Sequence, residues 1–215
     1  MNVLGIGAHF DDLELGCSGT LIKHVQRGDK VTMLVITDSA YNTPEGEVVR
    51  PLDVAHQEGV KAAQMIGADL ICLGINTFMV THDESLTKQV NALVEKLNID
   101  IIYSHWPGDI HRDHQFTARC AMMAGRHVNK FLLYRSNYYD TEQPFRGNFY
   151  SDISDVFGQK MEVIKAHTSE LERVRYKWLD FFSNQNANDG QKIHSAYAEC
   201  FEVVRYVADL GGRHE

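Results

Sequence analysis

The stretch V3-L-G-I-G-A-H-F-D-D-L-E-L-G-C17 decides how this chain folds. An apolar run over residues 2–7 reads as a buried strand, and it ends where His9, Asp11, Asp12 and Glu14 crowd into six residues. Like charges this close repel, and each loses hydration if the site is even half covered. Three things can offset that cost: a bound cation, a helix N-terminus, or exposure to water.

Working outward, short β-branched runs alternate with amphipathic stretches, which predicts an α/β fold with a largely parallel sheet. Strands are expected over 2–7, 30–37, 70–73, 99–104 and 130–134, and helices over 16–27, 52–66, 85–97 and 113–124. Gly28-Asp29, Gly67-Ala68 and Asn98 supply helix stops. Further on, F-Y-S-D-I-S (149–154) reads as a strand, and 155–167 and 196–208 as helices. The polar segment 38–51, with T-P-E-G-E, follows the second strand as a long loop, where such folds place substrate contacts.

The chain has 215 residues, 44% of them hydrophobic, which suits one core and a single domain over 1–215. A net charge of -8 without a basic run argues against nucleic acid and anionic lipid as partners. The N-terminus lacks a basic region before its apolar stretch, so no signal peptide is expected, and no run approaches membrane-spanning length. Cys17, Cys72, Cys120 and Cys200 stand far apart without a C-x-x-C pair, which reads as reduced thiols in a cytoplasmic protein.

In open parallel sheets, ligands collect beyond the carboxyl ends of the strands, where helix N-termini face the same crevice. A second cluster, H105-W-P-G-D-I-H-R-D-H114, follows the strand I-I-Y-S and should emerge at the same edge as the first. A catalytic zinc takes three protein ligands and keeps one position open. A His and an Asp from the first loop with a His from the second meet that count. A leftover acid could then accept a proton from the attacking water, and a leftover His could stabilise an oxyanion or protonate a leaving group.

The pattern A-H-x-D-D-x-E-x-G (8–16) followed by H-x-D-H (111–114) resembles the LmbE-like, or PIG-L, N-acetylglucosaminyl deacetylases. So do C-S-G-T-L (17–21), D-x-H-R-D-H (109–114), D-I-S-D-V-F-x-x-K-x-x-V-I-x-x-H-T-S (152–169) and A-E-C-F (198–201). The resemblance implies a Rossmann-like three-layer α/β sandwich with a mostly parallel sheet. It also implies one Zn²⁺ per chain, other divalent metals being possible, held by His9, Asp12 and His114. Asp11 would be the general base. His111 would polarise the acetamide carbonyl or protonate the leaving amine, with Asp113 hydrogen-bonded to orient it. The implied partner is a small N-acetylated amino sugar or conjugate, and the implied assembly a trimer or hexamer of the same chain.

The sequence departs from the family at Phe10, where proline is usual, and at Leu13, where a second acid is common. Ala55 replaces the arginine expected three residues before Glu58, and Arg50 is the substitute offered by the adjacent loop. H167-T-S-E170 stands for H-x-S-Q. Glu14 reads either as a favourable charge in a first helical turn or as support behind the centre. Asp109 is expected to shape the site without ligating, His105 and Trp106 to line the pocket with an aromatic face for a sugar ring, and His167 to reach it. His24, His56, His82, His127, His194 and His214 are given no role.

G5-I-G7 lacks the third glycine of a dinucleotide fingerprint, and Ser18 and Ser39 lack a G-x-S-x-G setting. The expected activity is therefore zinc-dependent N-deacetylation of a GlcNAc-like sugar. Two alternatives use the same residues: a Mg²⁺-dependent phosphoester hydrolase and a non-catalytic sugar- or metal-binding module.

Overall fold

The computed structural model describes residues 1–208. Its elements are β1 (Asn2–Gly7), α1 (Asp12–Gln26), β2 (Lys30–Thr37), β3 (Tyr41–Asn42), β4 (Val48–Arg50), α2 (Leu52–Ile66), β5 (Asp69–Ile75), α3 (Glu84–Lys96), β6 (Ile101–His105), α4 (Arg112–Ala124), β7 (Lys130–Tyr134), β8 (Phe149–Asp152), α5 (Phe157–Ile164), α6 (Thr168–Arg173), α7 (Lys177–Gln191) and β9 (Ala198–Tyr206). Seven strands form one sheet in the order β5-β2-β1-β6-β7-β9-β8, parallel from β5 to β7 and antiparallel through β9 and β8.

Strand β1 is apolar throughout because it is covered on both faces, as interior parallel strands are. Val3 packs into a cluster with Leu13, Cys17 and Leu21 of α1, Ala62 of α2 and Val163 of α5. Leu4 and Ile6, pointing the other way, pack with Val90 of α3 and Ala121 of α4. Helices thus cover the sheet on both sides, giving three layers. Gly16 permits the close approach of α1 to the sheet: a Cβ there would lie 2.2 Å from the ring of Tyr134. The Tyr134 hydroxyl in turn donates to Ile6 O at 2.9 Å, tying β7 to β1.

The chain leaves β1 for β2 on one side, while β6 lies parallel on the other, so the order in which strands are added reverses between β1 and β6. Loops there part and leave a crevice. The two acid/histidine clusters sit at the ends of those two strands.

Residues 196–208, read from sequence as a helix, instead contain strand β9. Phe201 and Val203 pair opposite Phe149 and Leu132, and the sheet supplies both neighbours that the strand needs. A short apolar run is ambiguous in period, and tertiary pairing decides it. Helix α1 also starts at Asp12 rather than Gly16, which places Asp12 and Glu14 in its first turn. Helix α7 and the small β3–β4 pair in the 38–51 loop were not anticipated. Among the described residues no helix is long and apolar enough to cross a membrane. His214 lies outside the described residues.

Candidate metal centre and active site

The loop leaving β1 is pinned by the end of β2. Thr37 N and Oγ1 both donate to Ala8 O, at 2.9 and 2.8 Å, and Phe10 N donates to Ser39 Oγ at 2.8 Å. Asp11 then adopts φ 128°, a conformation L residues rarely hold, as the N-cap of α1 without a side-chain capping bond. Such strain costs about 1–3 kcal/mol and clusters at functional sites. Its effect is to send the Asp11 carboxylate into a cleft while His9 N donates to Asp12 Oδ2 at 2.7 Å.

The loop leaving β6 is organised by Asp109. Its Oδ1 accepts His111 N at 2.7 Å, and its Oδ2 faces His114 Nδ1 at 3.0 Å. His111 caps α4, its Nδ1 accepting from Asp113 N at 3.2 Å. The Asp113 carboxylate, expected to orient His111, reaches His9 Nε2 instead, at 3.1 Å, and accepts Phe78 N at 2.7 Å. What Asp113 offers His111 is its backbone N–H.

The two loops bring His9 Nδ1 within 3.2 Å of His114 Nε2 and 3.4 Å of Asp12 Oδ2, with His114 Nε2 3.1 Å from Asp12 Oδ1. Each outer imidazole nitrogen faces a carboxylate, so the N–H is held outward and the inner lone pair points at the other two donors. Three lone-pair donors facing one another repel unless a cation lies among them. Ligands of a tetrahedral zinc, each about 2.0–2.1 Å from the metal, stand about 3.3 Å apart. The residues present therefore fit such an ion. Two groupings of metal-competent atoms, His9–His111–His114 and Asp12–His105–His114, share His114. His105 Nε2 accepts the Ala8 N–H at 3.0 Å and His111 Nδ1 accepts from Asp113 N, while His9, Asp12, His111 and His114 all line the cleft.

The same carboxylates favour positive charge at the imidazoles. Burial alone would lower His9, but hydrogen bonds to Asp113 and Asp12 outweigh it and raise its pKa to about 9. Burial of His114 is likewise outweighed by Asp12 and Asp109, to about 10. Asp12 is buried yet held well below the usual carboxylate range by His114 and His105. Asp11 behaves oppositely: burial, then the charge of Asp12, push its carboxyl up to about 7 against the pull of Arg50. Burial and the neighbouring His114 and His9 lower His111 to about 4, so its ring is neutral.

Arg50 is buried beside Asp11. Its Nη1 donates to Phe10 O at 3.0 Å and lies 3.6 Å from Asp11 Oδ2, while Nη2 donates to Glu58 Oε2 at 2.9 Å. An arginine thus reaches Glu58 from the loop, across the place Ala55 leaves open. Glu14 and His167 form a buried pair, Oε1 to Nε2 3.1 Å. His167 Nδ1 lies 3.3 Å from Arg50 Nη2, so this pair backs the arginine rather than the cleft.

The cleft has a volume of about 270 Å³. His9, Asp11, Asp12, His111, His114 and Arg50 line it. Glu14, Asp109, Asp113, His105, Trp106 and His167 do not. His105 is wholly buried beneath the centre, 3.1 Å from Asp12 Oδ2. Trp106 is packing, buried in the apolar cluster of α3 and α4 and edge-on to Phe145. Sequence reasoning missed the aromatic rim of Tyr41, Phe78, Tyr138, Tyr139 and Trp178, and the Glu170–Arg173 ion pair beside it. Tyr41 lies in the loop flagged for substrate, and Phe78 follows the end of β5, so the strand-end rule reaches both. Nothing in the sequence marked the others.

The sequence profile of the PIG-L family, GlcNAc-PI de-N-acetylase, matches residues 4–125. Diacetylchitobiose deacetylase of Thermococcus kodakarensis is 25% identical over 229 residues, covering 94% of this chain and 82% of that protein. Among solved structures, N,N'-diacetylchitobiose deacetylase from Pyrococcus horikoshii superposes with a TM-score of 0.81 at 20% identity, over 94% of this chain and 83% of that one. The conserved protein TT1542 from Thermus thermophilus gives 0.82 at 22% identity, over 99% of each. The profile match spans more than half of the sequence and contains both loops of the centre, and on that match the chain belongs to the PIG-L (GlcNAc-PI de-N-acetylase) family.

Proposed function

We propose that this chain is a zinc-dependent N-deacetylase that removes the acetyl group from the 2-amino position of a GlcNAc-like sugar or sugar conjugate. The observation that carries the reading is the triangle of His9, Asp12 and His114, with Asp11 and His111 on its cleft side. The deacetylase names of the relatives support the same reading. His9, Asp12 and His114 would hold the ion, with Asp113 and Asp109 fixing the two imidazoles. Two imidazole donors favour zinc over Mg²⁺, which prefers an all-oxygen shell, and so weigh against the phosphoester alternative. Base and donor groups beside the ligands weigh against a pure binding module.

Bound zinc supplies Lewis acidity, polarising the carbonyl and acidifying water. The Asp11 carboxylate takes a proton from the attacking water, as a positioned general base does. Arg50 holds that carboxylate in place from 3.6 Å. His111 is neutral and its Nδ1 accepts from Asp113 N, so its proton sits on Nε2. That N–H donates to the carbonyl oxygen as negative charge develops there. As the C–N bond breaks, Asp11 returns its proton to the departing nitrogen, giving acetate and a free amine. We further take residues 1–215 as one catalytic domain in the cytoplasm, a reading that the free thiols of Cys17, Cys72, Cys120 and Cys200 support.

The test is an assay for acetate and primary amine over N-acetylglucosamine, diacetylchitobiose and nucleotide-linked N-acetyl sugars. Equal amounts of both products are expected, abolished by chelator and restored by zinc. Phosphate release from phosphoesters in place of acetate, or no hydrolysis across the panel, would overturn the reading.

A further inference from the structure

Phe78 is held at φ 68°, a conformation that a bulky L residue seldom adopts, and the residue is 47% exposed. Core packing therefore does not account for the strain. Polar anchors hold it from both sides. Its N–H donates to Asp113 Oδ2 at 2.7 Å, and its carbonyl accepts Arg112 Nη2 at 3.0 Å. The residue before it, Thr77, donates through Oγ1 and N to Asp38 Oδ1, at 3.1 and 3.3 Å.

These anchors place the ring over the reaction site. It stacks on His111 with centroids 5.7 Å apart and planes inclined by 26°, and Tyr41 meets it edge-on at 6.0 Å. Both aromatic residues line the cleft. Asp113 Oδ2 binds Phe78 N and His9 Nε2 together, so one carboxylate sets the wall's position relative to a ligand of the candidate ion.

We propose that Phe78, with Tyr41 behind it, is the specificity-determining wall of the site and takes the apolar C–H face of a pyranose ring. This rests on the deacetylase reading for what is done to the sugar, but not for whether the sugar binds. A half-exposed aromatic face covers the C–H side of a sugar while leaving its hydroxyls to water and polar neighbours. The wall therefore selects cyclic N-acetyl sugars over acyclic acetamides of the same reactive group. The anchors fix its orientation before binding, which limits the entropy lost when the ring docks.

The experiment is calorimetric titration of the zinc-loaded protein, with Asp11→Asn present in every version so that the titrant is not hydrolysed, against N-acetylglucosamine and acyclic N-acetylethanolamine. Phe78→Gly removes the ring, and glycine holds φ 68° without strain, which offsets the lost ring contacts and lets the variant fold. It should bind N-acetylglucosamine about tenfold more weakly, the loss expected for part of one aromatic side chain's burial. Phe78→Tyr should retain wild-type affinity, and N-acetylethanolamine should bind wild type and variants alike. Unchanged sugar affinity in Phe78→Gly, equal loss for both ligands, or no sugar binding by wild type would overturn the proposal. Acetate release by the wild type is measured beside the titrations; its absence alone counts against the deacetylase reading, because the sugar titrations do not depend on turnover.

Discussion

His9 Nε2 lies 3.1 Å from Asp113 Oδ2, joining two loops that are 104 residues apart in the chain. The bond does three things. It fixes the imidazole tautomer, aims Nδ1 at Asp12 and His114, and shares its acceptor with Phe78 N. A carboxylate given in sequence to His111 thus belongs to the ligand side of the site.

That relationship gives a metal-affinity prediction. Asp113→Asn or Asp109→Asn should weaken zinc binding by about 10–100-fold while leaving the ligand set intact, as loss of an outer hydrogen-bond partner does elsewhere. His114→Ala should lose the metal outright. Competitive chelator titration and elemental analysis distinguish the three, and wild-type zinc affinity in Asp113→Asn would count against the outward-facing tautomer of His9.

Removing the proposed base should separate binding from turnover. Asp11→Asn is expected to keep stoichiometric zinc and to slow hydrolysis by about 10²-fold or more. Near-wild-type turnover with zinc bound would remove Asp11 from the role.

Asp11 also predicts how stability varies with pH. In the metal-free protein its carboxyl rises from 3.8 to about 7, mainly through burial and then the charge of Asp12. The folded state therefore binds the extra proton across that window, and the group's contribution to stability is present below 3.8 and lost as pH rises through about 7. Asp11→Asn stays neutral, so its stability advantage over wild type should grow as pH climbs. Thermal melts of chelated wild type and variant across the window check the sign; a constant difference would show an unshifted carboxyl. In turnover only the ionised base accepts a proton, so kcat/KM should fall as pH drops below the base's pKa.

A buried ion pair behind the site sets a stability prediction. Glu199 accepts Lys160 Nζ at 2.6 Å, Gly19 N at 2.9 Å and Thr20 N at 2.7 Å, while Lys160 Nζ also donates to Leu15 O at 2.9 Å. Both side chains are wholly buried, so Glu199→Ala strips a buried cation of its counter-charge and the Thr20 hydroxyl of its acceptor. The expected loss is about 3–5 kcal/mol, and a Lys160→Met, Glu199→Leu double variant should recover much of it. Urea denaturation measures both; a single-variant loss under about 1 kcal/mol would mean that water replaces the pair.

What the sequence by itself determined is the set of alternating elements and the donors of the candidate centre. Asn2–Gly7 is apolar because it is covered on both faces, and a strand end fixes where the next few residues emerge, so order alone placed the two acid/histidine loops at one edge, while the choice of His9, Asp12 and His114 came from the family resemblance. Local spacing carries that information. The tertiary structure alone decided what surrounds those donors. Trp106 and Phe78 both lie just past strand ends, yet one is buried under Phe145 and the other stands over His111, because distant partners choose the side on which each ring comes to rest. For the same reason residues 198–206 are a strand: only the paired edges of β7 and β8 could settle a period that the run itself left ambiguous.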